Sequence, residues 1–179
     1  MDRKRLLKYG LVVAFVVMAF LYAKTYKENL QLQSRLGTDY QNVVINVSNL
    51  LTYETSTDFW LEQMEKPEGK ESLARILGEM DYLSFDLYMS NMPEVAEQLD
   101  ILQRQFYQFK KEGHDLSPEK MEELEENKSF LTTLLTTVRT DLGEDSLVWF
   151  KEIQEDSSKT QKYIRNELTL FRDKEGTEN

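Results

Sequence analysis

One histidine, four glutamates crowded into a single short stretch, and two Asn-x-Ser triplets are the residues of this chain whose types and spacing could do chemistry. His114 lies in a Gly-His-Asp stretch between two apolar periodic segments, where a lone histidine reads as a solvated turn residue rather than a base or ligand. A di-iron helical bundle needs two Glu-x-x-His motifs on facing helices, and the only histidine here has Lys111 three residues before it. The stretch Met121–Asn127, MEELEEN, holds Glu122, Glu123, Glu125 and Glu126. Paired carboxylates serve hydrolases and calcium sites, but Met121 and Leu124 claim the buried face of that turn and leave the glutamates on its wet sides. The acids of Asp141–Ser146, DLGEDS, surround a glycine in the pattern of a helix C-cap followed by a new helix start. Asn46-Val47-Ser48 and Asn127-Lys128-Ser129 match the glycosylation acceptor triplet, which matters only in a secretory pathway that glycosylates. There is no EF-hand loop, glycine-rich phosphate loop, nucleophile elbow or Ser/His/Asp set. Cysteine is absent, which removes disulfides, thiolate nucleophiles and zinc–thiolate sites. The expectation is a protein that is not an enzyme and uses no cofactor and no metal.

The elements that must position any functional residue are helices. The chain has 179 residues, only 3 prolines and 7 glycines, and its abundant Glu, Leu, Lys, Gln and Met favour helix almost throughout. The net charge of −10 hides an asymmetry. Of the 22 Lys and Arg, four (Arg3, Lys4, Arg5 and Lys8) lie in the first eight residues; of the 32 Asp and Glu, only Asp2 does. Beyond Ala23, eighteen bases face thirty-one acids. A module that negative repels phosphate backbones, so no nucleic acid is expected as partner.

Tyr9–Ala23, YGLVVAFVVMAFLYA, carries no charge, and with Leu6, Leu7 and the snorkelling Lys8 and Lys24 it approaches the ~20 residues that cross a bilayer. Tyr9, Tyr22 and Tyr26 fall where interfacial aromatics belong. Nothing else in so polar a chain could surround this helix as a soluble core. A cleaved secretory signal is the competing reading. Against it, Leu21 stands where a small residue is wanted before a cut after Ala23, and KTYKENL continues as helix. Four bases before the span, against Lys24, Lys27 and Arg35 spread beyond it, favour a cytoplasmic N-terminus. Residues 1–8 are then a basic cytoplasmic segment, 9–23 a transmembrane signal-anchor helix, 24–172 an extracytoplasmic helical module, and 173–179 a disordered tail.

Within the module, Tyr40, Val43, Val47, Leu50, Leu61 and Met64 follow one 3–4 repeat, interrupted by Glu54 and Thr57, which predicts a long first helix, continuous with the membrane helix and kinked near Gly37. Lys66–Lys70, KPEGK, is a turn. A second helix over 71–91 carries Leu73, Ile76, Leu77, Met80, Leu83 and Leu87 on one face. A third places Val95, Leu99, Leu102, Phe106 and Phe109 at strict 4-3-4-3 spacing and ends at Gly113. Ser117 and Pro118 start a fourth, which presents Met121, Leu124, Leu131, Leu134, Leu135, Val138 and Leu142 and stops at Gly143. A fifth presents Leu147, Phe150, Ile153, Ile164, Leu168 and Phe171. The fold class is therefore all-α: an N-terminal transmembrane helix followed by an antiparallel four- to five-helix bundle.

One surface feature stands out. Beside the core stripe of the second helix, Tyr82, Phe85, Met89 and Met92 form another apolar row at 3-4-3 spacing. Such a row either widens the core face or forms an exposed patch that binds a partner helix or a second copy of the chain.

The order of parts resembles the N-terminal region of the spore-germination YpeB family of endospore-forming bacteria, which has a signal-anchor-like helix, a polar helix with a Tyr-Gln pair and a helical bundle. The segments that carry the likeness are Asp39-Tyr40-Gln41 and Leu116-Ser117-Pro118-Glu119-Lys120-Met121-Glu122-Glu123-Leu124. The resemblance implies an envelope or spore-membrane protein that holds or stabilises another protein. The reading that follows is a membrane-anchored module working by protein–protein contact as scaffold, assembly factor or regulator, with another membrane or envelope protein as partner, the bilayer contacted through residues 9–23, and homo-oligomers left open. The alternative is an extracytoplasmic sensor or small-ligand-binding bundle that works with a partner.

Overall fold

Four helix starts are set by side chains that accept from the backbone donors of the first turn. Ser56 Oγ accepts from Phe59 N, Ser117 Oγ from Lys120 N, Asp145 Oδ1 from Leu147 N and Ser158 Oγ from Gln161 N. The computed structural model describes the backbone of residues 3–66 and 68–177 and the side chains of residues 9–66 and 68–174. Among these are seven α-helices: α1 (Arg3–Asn49), α2 (Thr57–Met64), α3 (Gly69–Met89), α4 (Pro93–Glu112), α5 (Pro118–Leu142), α6 (Ser146–Gln154) and α7 (Lys159–Thr177). No β-strand occurs among the described residues. Pro67, part of the expected turn at 66–70, lies outside them.

The chain is all-helical, and α1 is long and apolar enough to cross a membrane. At 1.5 Å per residue its 47 residues extend for about 70 Å. From Tyr9 to Tyr26 its side chains are exposed; none of the most apolar stretch is covered by the rest of the protein. Cover begins near Ser34, whose hydroxyl hydrogen-bonds that of Ser146 at 2.7 Å.

The expected third and fourth helices appear as α4 and α5; their periodic residues Val95, Leu99, Leu102, Phe106, Phe109, Leu124, Leu131, Leu134, Leu135, Val138 and Leu142 are buried, and Met121, at the edge, is only partly so. The second appears as α3, two residues earlier than expected at each end. The other two expected helices are each divided. The first passes through a π-helical turn at Leu50–Glu54 and restarts as α2. Buried Thr55 donates to Leu51 O, and Trp60 Nε1 donates to Glu54 O, so the freed carbonyls are satisfied at the break. The fifth is cut between Gln154 and Lys159, where Ser158 Oγ donates to Glu152 O while capping α7. Of its expected face, Ile153, Ile164 and Leu168 are buried; within α6, however, Trp149 is fully buried and Leu147 is exposed. Helical backbone continues through Thr177, into the segment expected to be a disordered tail; residues 178–179 lie outside the described residues.

Gly37 does not mark a kink. It is buried inside the uninterrupted α1, where α1 crosses the start of α6. Tyr40 reinforces that crossing by donating to Gln154 Oε1 at 2.8 Å. Burial, and then the Asp39 carboxylate, push the Tyr40 pKa up, so its phenol stays a donor.

α3 and α4 form a hairpin. Ser84 Oγ donates to Ala96 O, and Gln103 Nε2 to Leu77 O. Its turn is fixed by Asn91, which adopts φ 59°, donates to Ile153 O and accepts from Gln161 Nε2. The Ser117 cap gives a direct check on these starts. Ser117→Ala is expected to cost about 1 kcal/mol, read as a lower urea midpoint in the fluorescence of Trp60 and Trp149, both buried.

Candidate partner-binding surface

The inner face of α3 is filled by Leu73, Ile76, Leu77, Met80, Leu83 and Leu87, all buried against the rest of the module. A helix buries a face of limited width, so apolar residues on its far side are left uncovered by the described residues. Tyr82, Phe85 and Met89 lie on that far side and are 64%, 60% and 66% exposed. Tyr88 joins them at 64%. Tyr82 to Met89 is seven residues, or about 10 Å along the helix. The cluster therefore continues along two turns as a ridge, with exposed Gly78 one turn before it.

Met92, the fourth residue of the expected row, is not part of this surface. It is fully buried. Met89 ends the helix, and the positive φ of Asn91 turns the chain back so that Met92, the N-cap of α4, points into the core. Its N–H bonds Leu87 O at 3.0 Å. Helical spacing stops predicting a face once the helix stops, so the row ends at Met89 and not at Met92. Tyr88, outside the expected row, lies three residues after Phe85 and therefore beside it, and that spacing is its signal in the sequence.

The acids near the ridge are Glu79, Asp81 and Asp86, and α3 carries no lysine or arginine after Arg75. At 100° per residue, Glu79 and Asp86 border one side of the Tyr82–Phe85–Met89 row and Asp81 the other.

Other candidate residues have structural settings. His114 is exposed in a single 3-10 turn, its Nε2 3.5 Å from a carboxylate oxygen of Glu65. Glu122, Glu123 and Glu126 are exposed; Glu125 is half-buried, accepts from Thr57 and pairs with Lys128. Asn127 is fully buried, which denies the folded protein its use as a glycosylation acceptor, whereas Asn46 is exposed. No three or more His, Asp or Glu side chains among the described residues are grouped to hold a metal ion. A groove of about 580 Å³ between α2 and α3 is lined by Tyr53, Phe59, Trp60, Lys66 and Arg75, among others.

The two segments on which the expected family resemblance rests also have structural settings. Tyr40 and Gln41 join α1 to α6 and to the Gly143 carbonyl, and Leu116–Leu124 builds the start of α5. There the Glu119 pKa is lowered by a hydrogen bond to its own backbone N–H and then by the Ser117 hydroxyl. Comparison of the chain with protein-family models, with curated proteins and with solved structures finds no match to any of them.

Proposed function

We propose that this chain is a single-pass membrane protein whose antiparallel helical module acts outside the cytoplasm by gripping another membrane or envelope protein, without catalysis. The observation that carries the reading is the outer face of α3, where four large apolar side chains stand exposed opposite the buried face of the same helix. A soluble monomer rarely leaves such a cluster uncovered, and aromatic and methionine side chains are the types that anchor protein contacts.

The anchor supports the same reading. The uncovered apolar part of α1 suits lipid, and the basic residues before it suit a cytoplasmic N-terminus. Because α1 is unbroken, Lys24–Gln33 acts as a stiff stalk that holds the module about 15 Å from the bilayer. A stalk of that kind fits a scaffold, assembly factor or regulator at the cell envelope or spore membrane, in line with the resemblance carried by Asp39-Tyr40-Gln41.

The full-length protein is expected to resist carbonate extraction from membranes, and its module to be digested by protease added outside wall-stripped cells. A mature N-terminus at Lys24 would sink the anchor, and protection from protease would sink the orientation. Phe85→Ala with Met89→Ala is expected to leave the urea midpoint nearly unchanged while abolishing co-purification of the protein's membrane partners. A second reading, a sensor or small-ligand-binding bundle that works with a partner, is favoured by the aromatic groove beside Arg75.

A further inference from the structure

We propose that the outer face of α3 receives a cationic amphipathic helix of another protein. This inference rests on the contact reading above and adds the chemistry of the partner. Shape argues for a helix. Gly78, Tyr82, Phe85 and Met89 recur at 4-3-4 spacing, the ridge on which a second helix packs. At the N-terminal end of that ridge, Gly78 is exposed and has nothing within 4 Å of the position a Cβ would occupy, which leaves a notch for a large partner side chain. At exposures of 60–66%, Tyr82, Phe85, Met89 and the neighbouring Tyr88 present roughly 500 Å² between them. That is more than half of the ~800 Å² per partner in a standard interface, enough to anchor an extended element.

Charge argues for a basic one. Between Ile76 and Met92 the chain carries Glu79, Asp81 and Asp86 and no base. These acids border the ridge on both sides, where the lysines and arginines that flank the apolar stripe of an amphipathic helix would fall. Met89 is the last residue of α3, so the negative end of the helix dipole adds to the same field. Tyr82, Phe85 and Tyr88 offer ring faces to those cations, and Met89 adapts to an irregular stripe.

The competing occupants meet the opposite physics. A second copy would set three carboxylates against three. An anionic bilayer surface has the wrong sign. The chain's own basic residues, Arg3 to Lys8, are held at the far end of an unbroken helix, about 39 Å from Ser34, and do not reach α3 of the same molecule.

The test uses the full-length protein in phosphatidylcholine nanodiscs and two synthetic 18-residue helices, each with a leucine stripe and a benzophenone at its centre. One is flanked by lysines and the other by glutamates. Photo-crosslinks mapped by mass spectrometry are expected at Tyr82–Met89 for the Leu/Lys helix and to be at least tenfold fewer for the Leu/Glu helix. Phe85→Ala with Met89→Ala should lower the yield about tenfold. Asp81→Asn with Asp86→Asn should lower it about fivefold and weaken its salt dependence, while Glu122→Gln with Glu126→Gln, which neutralises two exposed acids on α5, should not. The urea midpoint of each variant separates lost binding from lost folding. Equal yields for the two helices, equal loss from the α5 pair, or α3–α3 crosslinks between copies would each overturn the proposal. Partner co-purification that still depends on Phe85 and Met89, beside a Leu/Lys helix that ignores α3, would overturn the basic chemistry and leave the contact reading standing.

Discussion

Gly37→Ala is expected to destabilise the protein by roughly 3 kcal/mol, although the same change in an isolated helix would stabilise it by ~1 kcal/mol. A Cβ at Gly37 would lie 1.7 Å from the Ser146 carbonyl oxygen, 2.7 Å from its carbon and 3.0 Å from Phe150 N. All three are backbone atoms, so no side chain can swing aside. α1 and α6 must move apart by more than an ångström, and the contacts that depend on their approach loosen together: the Ser34–Ser146 hydroxyl pair, the Tyr40–Gln154 bond and the packing of buried Trp149. Gly78→Ala is the internal control. Gly78 is also inside a helix, but nothing lies within 4 Å of its Cβ position, so only the propensity gain remains and a rise of about 0.5–1 kcal/mol is expected. Urea unfolding of the full-length protein in a non-ionic detergent, followed by tryptophan fluorescence, reads both. A raised midpoint for Gly37→Ala would mean that the close crossing of α1 and α6 is wrong.

The same position shows where reading the sequence runs out. Glycine inside a helical pattern suggests a kink, which is a local inference; its role here depends on a segment more than a hundred residues away. By contrast, α3, α4 and α5 were legible because long apolar stripes at 3–4 spacing agree with the signals at their ends. Ser117-Pro118 opens α5, and Gly113 and Gly143, both at positive φ, close α4 and α5. Two breaks were hidden although their signals are present. Ser56-Thr57-Asp58 is a cap with an acid in the first turn, but Leu61 and Met64 extend the earlier stripe across it. Ser158 and Gln161 have capping-box spacing, yet Ile164, Leu168 and Phe171 kept the expected face in phase across the gap. α6 is nine residues long, too short for its stripe to fix a rotation, so the expected face includes Phe150 and omits the buried Trp149. Of the α3 surface, Tyr82, Phe85 and Met89 were legible as a row. That they face outward was not, because exposure depends on which neighbours take the other side.

Asn127→Ala is expected to cost about 2–4 kcal/mol, because it orphans polar groups in a core that sequence patterning alone would have kept apolar. Asn127 and Gln98 are both fully buried. Gln98 Nε2 donates to Asn127 Oδ1 at 3.0 Å, and Asn127 Nδ2 donates to Gln105 Oε1 at 2.9 Å. The chain of bonds runs outward at both ends. Gln105 Nε2 donates to Glu123, while Arg172 Nε donates to Gln98 Oε1 and its Nη2 pairs with Glu97 at 3.0 Å. One network therefore ties α4 to α5 and α7, and each bond is available only at one register of the three helices. Alanine at 127 leaves a Gln98 donor with no partner and no route to water. Replacing Gln98 and Asn127 together by leucine removes both ends of the buried bond; Gln105 and Arg172, at the edge, keep their outer partners. The double variant is expected to lose less stability than Gln98→Leu or Asn127→Leu alone, which additive costs would forbid. Its α7 should be held less firmly, since Arg172 has lost Gln98 as acceptor. Amide exchange along α7, faster in the double variant even where its urea midpoint recovers, would separate the register role from the energetic one. Additive losses, with α7 exchange unchanged, would show that the bonds fill space and select nothing.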